Sequence, residues 1–211
     1  MKLIRPSFEI LTSIEPDLVL KRIEVAGRTC YKSEDAISTT SATSFVEMII
    51  KRGHESVLEH QSLSVRFICD RGVSHELVRH RLASFSQEST RYCNYSKGKF
   101  NNELTFIIPN WLDSETKGDI EFEAWRARMS YAENSYMSLI EKFNWQPQQA
   151  RCILPNSLKT EIVVTANFRE WRTIFKQRTS VAAHPQMREL MCPLLDELKS
   201  ELPVVFGDIN Y

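Results

Sequence analysis

A segment of fourteen residues concentrates side chains that bind phosphate. From Arg79 to Tyr92 the chain contains three arginines, one histidine and three serines. Guanidinium groups pair with two phosphate oxygens at once, and serine hydroxyls donate further hydrogen bonds. The rings of Phe85 and Tyr92 add flat faces for a heterocyclic base. The segment therefore predicts a nucleotide-binding site.

The same segment has a simpler explanation as a charged surface. Its arginines would then form ion pairs with Glu76, Glu88 and other acids, as most charge runs do. The serines and the third arginine favour a binding site, because loops on a rigid scaffold often carry function. Ser89 is less favoured as a nucleophile, since the chain has no Gly-x-Ser-x-Gly elbow.

The overall charge restricts the class of partner. The 211 residues include 27 Lys+Arg and 27 Asp+Glu, which leaves no net field to attract nucleic acid or an anionic membrane. Anion recognition must therefore be local. The chain also lacks a glycine-rich dinucleotide or phosphate loop, so a nucleotide cofactor must be held by side chains.

A second candidate is Arg178, at the end of a helix predicted over residues 168–178. Asn167 caps this helix, with Glu170 three residues later. The apolar stripe of the helix consists of Phe168, Trp171 and Phe175. A cation at a helix C-terminus is favoured by the dipole alone. The position of Arg178 on the stripe predicts instead an inward guanidinium, where a ligand would offset the cost of burial.

The histidines of residues 53–60 raise the alternative of a metal site. His54 and His60 are six residues apart, whereas a zinc-binding helix uses a spacing of four. A helix end with satisfied histidines explains them better, and it leaves Ser56 able to donate to a ligand. We therefore expect no metal.

The cysteines and the apolar segments indicate the compartment. The five cysteines are scattered and form no Cys-x-x-Cys pair, so neither a disulfide framework nor a zinc knuckle is expected. The sequence has no apolar run of signal-peptide or membrane-spanning length. We expect a soluble cytoplasmic protein without a membrane partner.

The elements that must position these residues follow from periodicity and from turn residues. Strands are predicted over 4–11, 63–69, 104–108 and 160–166. Helices are predicted over 16–27, 44–52, 74–82, within 113–143, and over 148–154, 168–178 and 185–202. The order shows no regular βαβ alternation, so the fold class is α+β, with a single domain over residues 1–211.

The helix predicted over 74–82 has consequences for the arginines. Ser74 would be its N-cap. A rotation of about 100° per residue would place His75, Glu76, Arg79 and His80 on one face. Arg79 and Arg81 would then serve different groups, because positions two apart do not face each other.

These motifs together resemble the flavin-dependent thymidylate synthases. The main signature is Arg79-His80-Arg81 followed by seven residues and Ser89, then by Arg91-Tyr92. Further matches are spread over most of the chain. They are Gly53-His54-Glu55-Ser56 with Glu59-His60, Arg151 with Leu154-Pro155, Asn167 with Arg169-Glu170-Trp171, and Arg178 with Ala183-His184-Pro185-Gln186-Met187-Arg188-Glu189.

The resemblance implies a fold, ligands and an assembly. The expected fold has a central, mostly antiparallel sheet flanked by helices. The expected homotetramer has sites shared between subunits for FAD, dUMP, 5,10-methylenetetrahydrofolate and NADPH. The residues implied to hold dUMP are Glu76, Leu77, Val78, Arg79, Gln87, Glu88, Ser89, Thr90, Arg91, Arg151 and Arg178. Those implied to hold FAD are Ser56, Arg79, His80, Arg81, Gln87, Asn167, Phe168, Arg169 and Thr173.

The resemblance also implies a mechanism without a cysteine nucleophile. Arg178 would be catalytic and stabilise uracil deprotonated at N3, and reduced FAD would supply the hydride. Cys93, the thiol nearest to the cluster, is expected to be a small packing residue. Three positions depart from many relatives, because Glu76 and Gln87 stand where Gln and Glu are frequent and Thr173 replaces a longer polar side chain.

Two other functions remain as alternatives. A non-enzymatic nucleotide- or RNA-binding module would use Arg79, Arg81 and Arg91 for phosphate, with Phe85 or Tyr92 for base stacking. The zero net charge disfavours it. A flavin oxidoreductase that acts on a different pyrimidine is the other alternative, and release of the C5 proton of dUMP would distinguish the two enzymes.

Overall fold

The computed structural model of the chain describes residues 1–112 and 119–211. Its strands are β1 (Lys2–Ile4), β2 (Ser7–Ile10), β3 (Ser62–Asp70), β4 (Ala83–Gln87), β5 (Thr105–Ile107) and β6 (Lys159–Asn167). Its helices are α1 (Pro16–Tyr31), α2 (Ser41–Lys51), α3 (Arg71–Leu77), α4 (Ile120–Glu141), α5 (Pro147–Ala150), α6 (Phe168–Arg178), α7 (Pro185–Glu201) and α8 (Pro203–Phe206). Among the described helices, none has the length and apolar character that crossing a membrane requires.

The strands form two sheets. β1 and β5 pair in parallel, with Lys2 opposite Thr105 and Ile4 opposite Ile107. The larger sheet has the strand order β2-β3-β6-β4 and is antiparallel, with helices flanking it. This confirms the predicted α+β fold class. The predicted alternation in β3 is also confirmed, because Leu63, Val65, Phe67 and Cys69 are all buried.

The described chain divides into two compact units. Unit 1 comprises Met1–Ser7, Phe67–Arg79 and Ser86–Ile162, and unit 2 comprises Phe8–Arg66, His80–Phe85 and Val163–Tyr211. The single domain over residues 1–211 stays a prediction. Unit 1 has a core cluster of Tyr95, Leu104, Phe106, Met129, Tyr136, Ala150 and Leu158. Within it, Tyr95 makes an edge contact with Phe100, at 4.9 Å between ring centroids.

Unit 2 is held together by the apolar face of α6. Phe168, Trp171 and Phe175 are buried as predicted, and Phe168 and Phe175 each contact Phe206 of α8 edge-on. The indole nitrogen of Trp171 donates a hydrogen bond to the Leu63 carbonyl at 2.9 Å, which attaches α6 to β3. These contacts fix the helix that ends at Arg178.

The first predicted strand is divided in the structure. Residues 5 and 6 separate β1 from β2. Pro6 lacks an N–H group, so it cannot continue the ladder as a central strand residue would. α8 was not predicted, because it is a single short helical turn that begins at a proline.

The helix predicted over residues 74–82 is wrong at both ends. α3 begins at Arg71, and its cap is Asp70, whose Oδ1 accepts from the Val73 N–H at 3.0 Å. The helix ends at Leu77, so His75, Glu76, Arg79 and His80 do not share a helical face. Asp70 outcompetes Ser74 for the cap because a carboxylate accepts strongly at a helix N-terminus.

The remaining boundaries differ by a few residues. α1 extends past the predicted end at residue 27, α2 begins before residue 44 and ends one residue before 52, and the predicted 148–154 helix is α5 followed by a 3-10 turn. The start of the helix predicted within 113–143 falls partly on residues 113–118, which lie outside the described residues. α4 itself begins after Asp119, which caps it by accepting from the Glu121 and Phe122 N–H groups.

Candidate functional site

Arg178 and His80 form a side-chain hydrogen bond within unit 2. Arg178 is the last residue of α6 and is half-buried, and its Nε donates to His80 Nε2 at 3.0 Å. His80 is buried, with 7% of its surface exposed. The predicted inward direction of Arg178 therefore has a definite destination, the imidazole of the Arg79-His80-Arg81 motif.

Glu170 lies on the other side of the same imidazole. Its Oε1 is 3.6 Å from His80 Nδ1, which is too long for a strong hydrogen bond but close enough for electrostatic attraction. Glu170 is also buried, and burial raises the pKa of its carboxyl. Asn167 fixes the start of this helix, because its Oδ1 accepts from the Glu170 N–H at 2.8 Å.

The charge state of His80 follows from these neighbours. Burial, and then the Arg178 guanidinium, lower the pKa of His80 to about 4. The imidazole is therefore neutral near pH 7 and does not form an ion pair with Glu170. Since Nε2 accepts from a permanently charged arginine, we assign the ring proton to Nδ1, on the side of Glu170.

Unit 1 contains the residues implied for dUMP, apart from Arg178. Arg79, Arg91 and Arg151 are exposed and thus able to meet a phosphate. Leu77 is buried, with 1% of its surface exposed, so its side chain belongs to the core. Glu76 is half-buried and Val78 is exposed. The three arginines therefore supply exposed positive charges in unit 1.

The first two side chains of segment 87–91 are turned into unit 1. Gln87 Nε2 donates to Ser74 Oγ at 2.8 Å and to Thr160 Oγ1 at 3.2 Å. Ser74 and Thr160 are buried. The Gln87 amide nitrogen is therefore engaged by the protein, and it anchors β4 to α3 and β6.

Glu88 continues this inward anchoring. Its carboxylate accepts from the Tyr95 hydroxyl at 2.7 Å and from Lys159 Nζ at 2.9 Å. Burial, and then Glu88, raise the pKa of Tyr95. Burial alone would lower the pKa of Lys159, but hydrogen bonds to Glu161 and Glu88 raise it. Glu88 and Lys159 thus form a charged, hydrogen-bonded pair that holds segment 87–91 against unit 1.

The segment reaches the surface at Arg91. Ser89 Oγ accepts from the Arg91 N–H at 3.3 Å, and Arg91 Nε donates to Gln148 Oε1 at 3.1 Å. Thr90 is buried, whereas Tyr92 is 76% exposed beneath the Arg91 guanidinium. Gln148 thus holds the Arg91 side chain at the surface through a hydrogen bond to a neutral group.

The residues implied for FAD lie mostly in unit 2. Those found there are Ser56, His80, Arg81, Asn167, Phe168, Arg169 and Thr173, whereas Arg79 and Gln87 belong to unit 1. Ser56 and Arg169 line a cavity of about 360 Å³ together with Tyr31, His54 and others. Arg81 is exposed, and Arg169 bonds Glu59 at 2.6 Å on the surface.

Three of these implied residues make contacts within the protein. Asn167 uses its side-chain oxygen as the cap of α6, and Phe168 is 2% exposed and packs in the core. Thr173 Oγ1 donates to the Arg169 carbonyl at 3.2 Å. The cavity joins a hydroxyl, an arginine and a tyrosine ring in one concave surface, as small-molecule sites commonly do.

Several contributors to these sites were missed at the level of sequence. Ser74, Tyr95, Lys159 and Thr160 reach segment 87–91 from distant positions, and no local pattern marks them. Glu170 was identified only as part of a helix cap. Within the described ranges, no group of three or more histidine, cysteine, aspartate or glutamate side chains is arranged to hold a metal ion.

The cysteines are separate from this chemistry in the described part of the chain. All five are free thiols. Burial raises the pKa of Cys93, the thiol nearest in sequence to segment 87–91, and Glu88 raises it further. A raised pKa reduces the thiolate fraction near pH 7, which disfavours a nucleophilic role.

Comparisons with known proteins give a consistent result. A family model described as "Thymidylate synthase complementing protein" matches residues 16–204. The chain is 36% identical to the flavin-dependent thymidylate synthase of Mycobacterium avium (strain 104) over 203 residues, 89% of this chain and 78% of that protein. The proteins of the same name from Corynebacterium efficiens and Mycobacterium tuberculosis are 34% and 35% identical over the same shares. The family match includes Arg178 and segment 87–91.

Proposed function

Since this chain belongs to the flavin-dependent thymidylate synthase family, and is therefore an enzyme, we propose that it methylates dUMP to dTMP. The carbon donor is 5,10-methylenetetrahydrofolate and the reductant is NADPH, with FAD as the cofactor. The methylene carbon replaces the C5 hydrogen of uracil, which leaves as a proton. Two electrons from NADPH reduce that carbon to methyl, and tetrahydrofolate and NADP⁺ are released.

The contact between Arg178 and His80 carries this proposal. Methylation requires C5 of uracil to become nucleophilic, which removal of the N3 proton achieves. A guanidinium beside the ring stabilises the resulting anion, because preorganised positive charge meets developing negative charge. Arg178 suits this role, since it is half-buried at the end of α6 and its Nε donates to the neutral imidazole of His80.

The substrate phosphate is assigned to unit 1. Arg79, Arg91 and Arg151 provide exposed guanidinium groups, and the Ser89 hydroxyl and the 87–91 backbone add hydrogen-bonding groups. Gln87 and Glu88 contribute by anchoring this segment, since their side chains bond inside the protein. The segment therefore combines a fixed beginning with a basic, exposed end.

The residues of unit 2 fit FAD by their chemistry. Arg169, Ser56 and Tyr31 line one cavity, and they can serve a phosphate, a hydroxyl and an aromatic ring respectively. When bound, FAD supplies the redox chemistry, which these side chains themselves lack. We propose that the sites are composite and that a homotetramer completes them, with arginines contributed by more than one subunit.

Purification and a product assay test this function. The purified chain should show the yellow absorption bands of a flavin and should form dTMP from dUMP only when 5,10-methylenetetrahydrofolate and NADPH are both present. A colourless protein that binds RNA would support the binding module instead. A yellow protein that releases no C5 proton from dUMP would indicate a flavin oxidoreductase acting on another pyrimidine.

A further inference from the structure

We propose that His80 is a positioning residue that aims the Arg178 guanidinium, rather than a residue that serves mainly to hold FAD. This inference rests on the proposed role of Arg178 in activating uracil. It adds a function for the middle residue of the Arg79-His80-Arg81 motif, which differs from the function implied by the family resemblance.

The hydrogen bond to His80 restrains the orientation of the Arg178 side chain. Arginine has a long, flexible chain, and fixing its orientation at a surface costs conformational entropy. Here the Nε atom is bonded to His80 Nε2 at 3.0 Å. Because the guanidinium is planar, a bond at Nε limits the directions in which the two terminal NH₂ groups can point. His80 thus restrains the guanidinium at its Nε edge.

Both ring nitrogens of His80 are directed at protein groups. Nε2 accepts from Arg178, so it has no proton and no free lone pair to offer a cofactor. Nδ1 faces Glu170 Oε1 at 3.6 Å. The residue is buried, with only 7% of its surface exposed. Both ring nitrogens are therefore turned toward protein groups.

Both groups that flank the imidazole, Glu170 and Arg178, come from the same helix. Glu170 is in the first turn of α6, where Asn167 caps the helix, and Arg178 is the last residue of the same helix. One helix thus contacts the imidazole through both its first and last turns. The backbone of α6 therefore fixes the distance between the two residues that flank the imidazole.

A pair of neutral variants separates positioning from cofactor binding. In His80→Gln the side-chain oxygen can occupy the place of Nε2 and accept from Arg178. In His80→Asn the shorter amide occupies the place of Nδ1 and cannot reach Arg178. The two variants have the same functional group and the same charge, so they differ mainly in the acceptor that Arg178 needs.

The expected readout is release of the C5 hydrogen of dUMP at saturating dUMP and FAD. His80→Gln should stay within about fivefold of the original enzyme, whereas His80→Asn should lose about 10- to 100-fold in kcat, as expected for a hydrogen bond to a charged group. Both should retain the original affinity for FAD and a similar KM for dUMP. Equal rates in the two variants, or weaker FAD binding that accounts for the loss, would overturn the proposal.

A spectroscopic measurement keeps the test independent of activity and of variant folding. In the original protein labelled with ¹⁵N-histidine, the ring nitrogen shifts of His80 at pH 7 should report a neutral imidazole with its proton on Nδ1. Replacement Arg178→Gln should change the Nε2 shift. A proton on Nε2, or an imidazolium, would contradict the assigned contact even if the enzyme makes dTMP. Failure to make dTMP with the expected shifts would instead refute the proposed function.

Discussion

The guanidinium of Arg178 donates through Nε to Nε2 of His80 at 3.0 Å, so the end of α6 is attached to the central residue of the Arg-His-Arg motif within unit 2. The contact unites two sequence features that lie 98 residues apart. Burial, and then the charge of Arg178 in this contact, lower the pKa of His80 and so explain why its imidazole is neutral.

Replacement of Arg178 should remove most of the catalytic rate. Arg178→Gln keeps a polar side chain but loses the fixed charge that stabilises the uracil anion, so kcat for dTMP should fall by about 10²- to 10³-fold. The FAD content should remain, as measured by absorption. Lys176→Gln is the matched control, because Lys176 is an exposed cation of the same helix, and it should change kcat less than about twofold. An Arg178→Gln enzyme within tenfold of the original would contradict the assignment.

The lowered pKa of His80 makes stability depend on pH in a defined direction. The folded-state pKa is about 4 and the ordinary value is 6.5, so the unfolded chain binds the proton more tightly. This contribution to stability is fully present above about pH 6.5 and is lost as the pH falls toward 4. Urea denaturation at several pH values should show the slope, and His80→Gln should reduce it. An identical slope in both proteins would show that His80 is not the group responsible.

Sequence reasoning succeeded where local pattern and burial coincide. α6 has the predicted bounds and the predicted apolar stripe, and the alternation of β3 reproduces its buried face. At Ser74 the local signal misled, because Asp70 four residues earlier is the stronger cap and the helix ends at Leu77. β4 was missed because its exposed serines at positions 84 and 86 are typical of loops as well as of solvent-facing strand positions.

The candidate site was predicted only in part, because local sequence patterns mark some of its residues and not others. Such patterns identified Arg178, the 79–81 motif and segment 87–91. Their partners are not local. Lys159 and Tyr95 reach Glu88 from β6 and from a loop, and tertiary folding alone brings them together. The inward direction of Glu88, and hence its anchoring role, could not be read from sequence.

The buried Arg172 should be important for the stability of unit 2. It is 1% exposed, and it bonds Asp208 at 2.6 and 2.7 Å, Glu55, and the Val205 carbonyl. Asp208→Ala leaves a buried guanidinium with fewer partners, so the free energy of unfolding should fall by about 1–3 kcal/mol. Half of the Asp208 side chain is exposed, which keeps the loss below that of a fully buried pair. The measurement is urea denaturation.

The control for this stability test is an exposed ion pair. Glu9→Gln removes the partner of Arg66 at the surface of unit 2, and the free energy of unfolding should change by about 0.5 kcal/mol or less. The assignment of Arg172 as a stabilising centre would be wrong if Asp208→Ala and Glu9→Gln had equal effects.

Lys159 should influence substrate binding without touching the substrate. Lys159→Met removes the ammonium that neutralises Glu88, so segment 87–91 should lose its fixed beginning and the KM for dUMP should rise by about tenfold. The value of kcat at saturating dUMP should change much less. Lys142→Met removes an exposed cation after α4 and serves as the control. A fall in kcat with unchanged KM would contradict the anchoring role.

The central claim is that dUMP is activated by fixed charge and not by a bond to the protein. The most direct measurement is the intact mass of the enzyme, quenched with acid while dTMP is accumulating. The predicted result is the unmodified mass throughout turnover, because Cys93 and Ser89 form no bond to the pyrimidine. A protein population carrying covalently bound nucleotide on either residue, formed and consumed at the rate of turnover, would contradict the account.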